Sequence, residues 1–250
     1  MAMIDFNTVP RGVALTEDAV QRIFDRSAEA HAAYTRRIES LTRTLAEAKA
    51  RFNAESAAFV SGTPAESRTQ AAQLAKHRLA QQVVQYQRTL VESSADAREE
   101  LMAVLRVAAD EAEAIQTVTR GPISLLGRIG LGDARRTNLM QQIAGAGPVE
   151  LEVLARQAVM TEDLILGSAV AAVVSGKAKA DQPFSPIALA ERLVGEMHAR
   201  VADKLKRIIL NFRTASHADQ EFATGKAKTI DSIALALARR ELLPSEGGAA

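Results

Sequence analysis

A long heptad seam near the start of the chain constrains its fold more than any other feature. Val20, Phe24, Ser27, His31, Tyr34, Ile38, Leu41, Leu45, Ala48 and Phe52 recur at alternating steps of four and three. That spacing places them on one stripe of a single helix, the signature of a helix that packs lengthwise against another. The pattern begins at Thr16, an N-cap type followed by Glu17 and Asp18, which favour the positive end of a helix. Acid-before-base pairs, Asp18–Arg22, Glu39–Arg43 and Glu47–Arg51, mark the opposite, solvated face. Nothing breaks the helix until Ser61-Gly62, which predicts a rod of roughly 65 Å at about 1.5 Å per residue.

The sequence Ser61-Gly62-Thr63-Pro64, with Glu66 beyond it, reads as a tight stop followed by a capped restart. A second helix to about Thr119 is expected. Its seam is Leu79, Val83, Tyr86, Leu90, Ser93, Ala97, Leu101, Val104, Ala108 and Ile115. In an antiparallel pair, facing residues have a constant sum of position numbers. A sum of 124 matches Leu45 with Leu79, Ile38 with Tyr86, Tyr34 with Leu90 and His31 with Ser93. The expected fold class is therefore all-α: a long antiparallel, coiled-coil-like helical hairpin plus a C-terminal helical bundle.

The expected organisation is an extended arm (1–15), the hairpin (16–119), a glycine-rich joint (120–133), a C-terminal helical region (134–243) and a flexible tail (244–250). In the joint, glycines at 127, 130 and 132 alternate with large apolar residues. Beyond it, Asp133 caps a short helix and Pro148 opens the next, which runs into the all-round apolar stretch Leu164–Val174. A helix apolar on every side belongs in an interior. Ser185-Pro186 starts a further helix, with its seam at Ile187, Val194, Met197, Val201, Leu205, Ile208, Phe212 and Ala215. A last helix spans about 228–243.

Composition removes several classes of function. The chain has no cysteine, so disulfides, thiolate metal sites and cysteine nucleophiles are absent. With 31 basic and 30 acidic side chains, the net charge of +1 argues against a general nucleic-acid binder. The N-terminus lacks the basic and apolar regions of a secretion signal. The Leu164–Val174 run is about half the roughly 20 residues that span a bilayer. The expected location is the cytoplasm, or a particle assembled there, with membrane association open but no transmembrane helix.

No reaction is legible. Gly176-Lys177 and Gly225-Lys226 lack the preceding glycine and the following Ser or Thr of a phosphate loop. The glycines in Gly127-Arg-Ile-Gly-Leu-Gly132 are in the wrong order for a dinucleotide fingerprint. No two of His31, His77, His198 and His217 have helical metal-pair spacing. His77, His198 and His217 read as solvated. His31 sits on the seam, and with Ser27 and Ser93 it reads as a polar layer fixing register. Its rival role is a pH-sensitive weak point. The stretch from Arg120 to Arg136 carries Arg120, Arg128, Arg135 and Arg136 against one aspartate, the one candidate patch for an anionic partner.

The expected function is a non-enzymatic helical structural or interaction protein, a subunit or scaffold of a larger assembly. No cofactor or metal is called for, and the partner is another copy of the chain or an assembly protein. One alternative is a membrane-active protein, pore-forming or membrane-associating, that uses apolar segments 123–132 and 164–174. A second alternative is a nucleic-acid-associated helical protein.

Overall fold

The computed structural model describes residues 16–225 and 229–242; the expected arm (1–15) and tail (244–250) lie outside the described residues. The fold is all-α. Among the described residues there are nine α-helices: α1 (Glu17–Ser61), α2 (Arg68–Ser93), α3 (Ala95–Val118), α4 (Pro122–Leu126), α5 (Ala134–Ile143), α6 (Pro148–Met160), α7 (Leu164–Ser175), α8 (Pro186–Thr224) and α9 (Thr229–Leu242). Among the same residues there is no strand. The chain divides into two compact units. Unit 1 takes residues up to Arg22 together with Asp110–Lys206, and unit 2 takes Ile23–Ala109 and Arg207 onward.

Unit 1 is built around α7. Ala169, Val170, Ala171 and Val174 are all but fully buried, as an all-round apolar helix requires. Leu125 and Leu126 of α4, Leu151 and Ala158 of α6, and Leu189, Ala190 and Val194 of α8 close around it. The approach of α8 is close enough that a Cβ on Gly167 would meet the Leu193 side chain. Ile187, expected on the buried seam of α8, is instead exposed, and Leu189 and Ala190 take its place inside. Thr16 caps α1 as expected, its hydroxyl accepting from the Ala19 amide at 3.2 Å. In the first turn of α1, Glu17 pairs with Arg200 and Lys204, and the Arg200 hydrogen bond holds its carboxyl below the usual range.

The glycine-rich joint does not stand apart. Pro122–Leu126 is helical, and Leu125 and Leu126 belong to the unit 1 core. The turns that follow are pinned: Ser168 of α7 donates to the Ile129 carbonyl (2.9 Å), and Arg136 of α5 donates to Ser168 Oγ (2.7 Å) and the Gly127 carbonyl (3.2 Å). Gly130 and Gly132 have φ of 71° and 85°, which explains glycine at both. Both apolar segments considered for membrane contact therefore contribute to this interior, although Leu131 stays exposed. Among the described residues no helix is long and apolar enough to cross a membrane.

A single helix running from Pro148 through Ser175 is corrected to two. After Met160 the chain makes a Schellman closure: the Asp163 amide bonds the Ala158 carbonyl (3.0 Å) and the Glu162 amide bonds that of Val159 (3.4 Å). Glu162 holds the left-handed position, φ 52°, usually given to glycine. Asp163 then caps α7, accepting from the amides of Ile165 (3.1 Å) and Leu166 (3.0 Å). The pattern favoured one helix because Thr161-Glu162-Asp163 contains neither Gly nor Pro.

In unit 2 the start of the second helix and its register both differ from expectation. Thr63 does not cap a helix at Pro64; its hydroxyl donates to the Phe59 carbonyl (2.9 Å), and a 3-10 turn at Ala65–Ser67 delays α2 to Arg68. Tyr86, expected opposite Ile38, lies edge-on to Phe52, ring centroids 5.9 Å apart. Arg78 sits over the Phe59 ring. Phe52 and Tyr86 have a position sum of 138, two heptads away from 124. A heptad pattern repeats every seven residues, so both registers match large with large. Ile38 and Tyr34 instead share a cluster with Leu101, Leu105, Phe212 and Ala215. The second helix is also broken at Ser94, and its inward face beyond the break is Ser94, Arg98, Leu105 and Ala108. Ser93 and Ala97, which the expected seam used, are exposed.

Two outcomes test the α6–α7 junction. Glu162→Gly relieves a left-handed side chain and should raise thermal stability by about 1 kcal/mol; a loss in calorimetry would contradict that account. The Asp163 carboxyl is held below its usual 3.8, first by the Leu166 amide and then by Arg135. A depressed folded pKa gives stability that is present above about 3.8 and lost as pH falls through the folded value. Asp163→Asn, which still caps, should flatten that acid-side slope in pH-resolved melts.

Candidate functional site

The most concentrated polar chemistry lies in unit 2, where the second helix breaks at Ser94 between α2 and α3. Ser94 is buried, and its hydroxyl donates back to the Leu90 carbonyl at 2.6 Å, a bond that commonly bends helices. The bend leaves the Val91 carbonyl to be served otherwise, and Arg98 Nη2 donates to it at 3.1 Å. Arg98 is only 6% exposed. Its Nε donates to Ser94 Oγ at 3.1 Å and its Nη1 to the Asp219 carboxylate of α8. The Phe222 ring lies 5.7 Å from the guanidinium carbon.

Asp219 also accepts from the Tyr34 hydroxyl at 2.6 Å. Tyr34 is 1% exposed, and burial, followed by the neighbouring Asp219, raises its phenol well above the usual tyrosine range. It therefore stays protonated and acts as a donor. One carboxylate thus receives a guanidinium and a phenol, and one guanidinium reaches three acceptors. Such a network satisfies buried polar groups and specifies helix register. It lacks a nucleophile with an adjacent base, so it carries no evident reaction.

The predicted polar layer of His31, Ser27 and Ser93 is not brought together. Ser27 is fully buried and accepts from Asn211 Nδ2 of α8 at 3.2 Å. Ser93 is exposed, its hydroxyl over the Leu90 carbonyl of its own helix. His31 borders a groove shared with α8 and α9, and its Nε2 is buried without a hydrogen-bond partner. Burial first, and then Arg239, push its imidazole below the usual histidine range. Unit 2 has two inward polar positions at and after the α2–α3 break, Ser94 and Arg98, one residue beyond those expected. Stepping back from Ile115 through Ala112, Ala108 and Leu105 by threes and fours arrives at them. Choosing the apolar Ala97 over the charged Arg98 hid that path.

The four arginines of the expected anion patch are largely committed within unit 1. Arg128 donates to the Val118 carbonyl (3.1 Å), Arg135 pairs with Asp163, and Arg136 holds Ser168 and Gly127. Arg120 is exposed. His198, expected to be solvated, is half-buried, with Nε2 2.9 Å from the Thr119 carbonyl at the end of α3. Among the described residues no group of three or more His, Cys, Asp or Glu could hold a metal ion. Comparison with protein families, with curated proteins and with solved structures gives no match.

Removing Arg98 leaves Asp219 without its countercharge, with only the Tyr34 hydroxyl donating to it, and takes a donor from the Val91 carbonyl. Arg98→Met should cost about 3 kcal/mol in urea unfolding, near the lower end for a broken buried pair because Asp219 keeps some solvent contact. Tyr34→Phe removes one donor from the same carboxylate and should cost about 1 kcal/mol. The two losses should be non-additive, since both act on Asp219; strict additivity would mean they are independent.

Proposed function

We propose that this chain is a non-enzymatic interaction protein, a subunit or scaffold that packs against protein through helix faces. The observation that carries the reading is the outer face of α6. Val149 is 74% exposed, Val153 56% and Met160 84%. Positions 149, 153 and 160 fall on one stripe of a helix, which also carries Arg156, paired with Glu152. The stripe borders a shallow groove lined by Ile143, Ala146, Val149, Glu150, Val153 and Leu154. Single exposed apolar residues are ordinary, but three on one helix stripe beside a groove, with one arginine among them, fit a surface that is covered in use.

Cytoplasmic placement belongs to the same proposal, as does self-association or an assembly partner. A membrane-active role asks more of unit 1, since Leu125, Leu126 and α7 would have to leave its core. A nucleic-acid role would have to draw on arginines that already hold protein groups.

Light scattering across micromolar to submillimolar concentration should show mass rising with concentration. Val153→Glu should return the protein to monomer without changing its melting temperature by more than a few degrees. A monomer at every concentration, with no effect of Val153→Glu, would remove self-association through this face. Co-sedimentation with anionic lipid vesicles should leave the protein in solution; pelleting would favour the membrane alternative.

A further inference from the structure

The groove beside His31 is built differently from the α6 face and points to a small-molecule ligand. It has a volume of about 430 Å³ and is formed within unit 2 by α1, α8 and α9. That size lies in the range of small-molecule sites, roughly 300–1,000 Å³. Its lining is of two kinds. Phe24, Ala28 and Leu210 supply hydrocarbon, and His31, Asn211 and Thr214 supply neutral polar groups.

Among the described residues the charged groups that line it are Arg207 of α8 and Arg239 of α9. Arg207 also interacts within the protein, so Arg239, an exposed side chain, is the guanidinium on which binding should turn. His31 Nε2 is buried with no hydrogen-bond partner. A buried polar atom in that state is unusual in a folded protein; Nε2 is closed to solvent, so the His31 ring reports on the groove without bonding a ligand through that atom.

We propose that this groove binds a small organic anion with an apolar body, in chemical class a medium-chain monocarboxylate. The carboxylate engages the Arg239 guanidinium, a charge-assisted and geometrically matched pair. Asn211 and Thr214 and the exposed part of the His31 ring flank the carboxylate. The chain lies over Phe24 and Leu210. Inorganic phosphate could satisfy the charges but would leave the apolar floor wet. Acetate would do the same. This ligand site is independent of the α6 face and of the assembly role.

The test uses the full chain with octanoate, acetate and inorganic phosphate as probes. Histidine ring signals are followed by NMR, with His31 assigned by its loss in His31→Gln. Octanoate should bind saturably, move the His31 ring signals, and bind at least tenfold more tightly than acetate or phosphate. Arg239→Gln should weaken octanoate about tenfold and leave the melting temperature unchanged. No movement of the His31 signals with up to 10 mM of any probe would overturn the site. Equal affinity for phosphate and octanoate would overturn the assigned ligand class. Unchanged octanoate affinity in Arg239→Gln would overturn the proposed contact.

Discussion

A guanidinium taken out of water must be given acceptors, and unit 2 is organised to supply them to Arg98. Desolvating a charge costs several kcal/mol unless it is paired and its hydrogen bonds are filled. Asp219 of α8 supplies the countercharge, Ser94 a hydroxyl, and the bend in the helix a free carbonyl at Val91. Tyr34 of α1 donates to the same Asp219 oxygen. Three helices are fixed together by one network, and none of its members can shift by a turn without leaving a buried group unmet. This is the physical reason that the register of unit 2 is single-valued although the heptad pattern alone is not.

Unit 1 solves a different problem. Its central helix, α7, offers almost no polar side chain, so it must be surrounded and its ends must be closed. Asp163 closes the N-terminus through two amides, and Ser168, the one polar group buried mid-helix, is met by Arg136 and the Ile129 carbonyl. The same two residues tie down the glycine-containing turns after α4. A stretch that combines glycine with large apolar residues is thereby held against the core, and its left-handed glycines serve turn geometry.

The functional reading rests on what the fold leaves over. Val149, Val153 and Met160 of α6 stay outward, and the groove beside His31 is lined by Arg239 together with Phe24 and Leu210. The first suits protein–protein packing. The second suits a ligand that brings both a negative charge and hydrocarbon.

Helix content, the position of most breaks and the burial of α7 were determined by the sequence itself, because periodicity, caps and all-round apolarity are local properties. Asp133, Pro148 and Pro186 begin helices where those rules place them. Register was decided by tertiary structure. A seven-residue repeat is unchanged by a seven-residue slip, so the choice between Ile38 and Phe52 as neighbour of Tyr86 needed information from outside the pair. The breaks at Ser94 and Glu162 were hidden for a related reason: each is made by residues that helices tolerate, and each is stabilised by partners or closures that exist only once the chain has folded. Arg98 shows the limit most sharply. By residue type it belongs on a solvated face, and only Asp219, 121 positions away in sequence, makes its burial affordable.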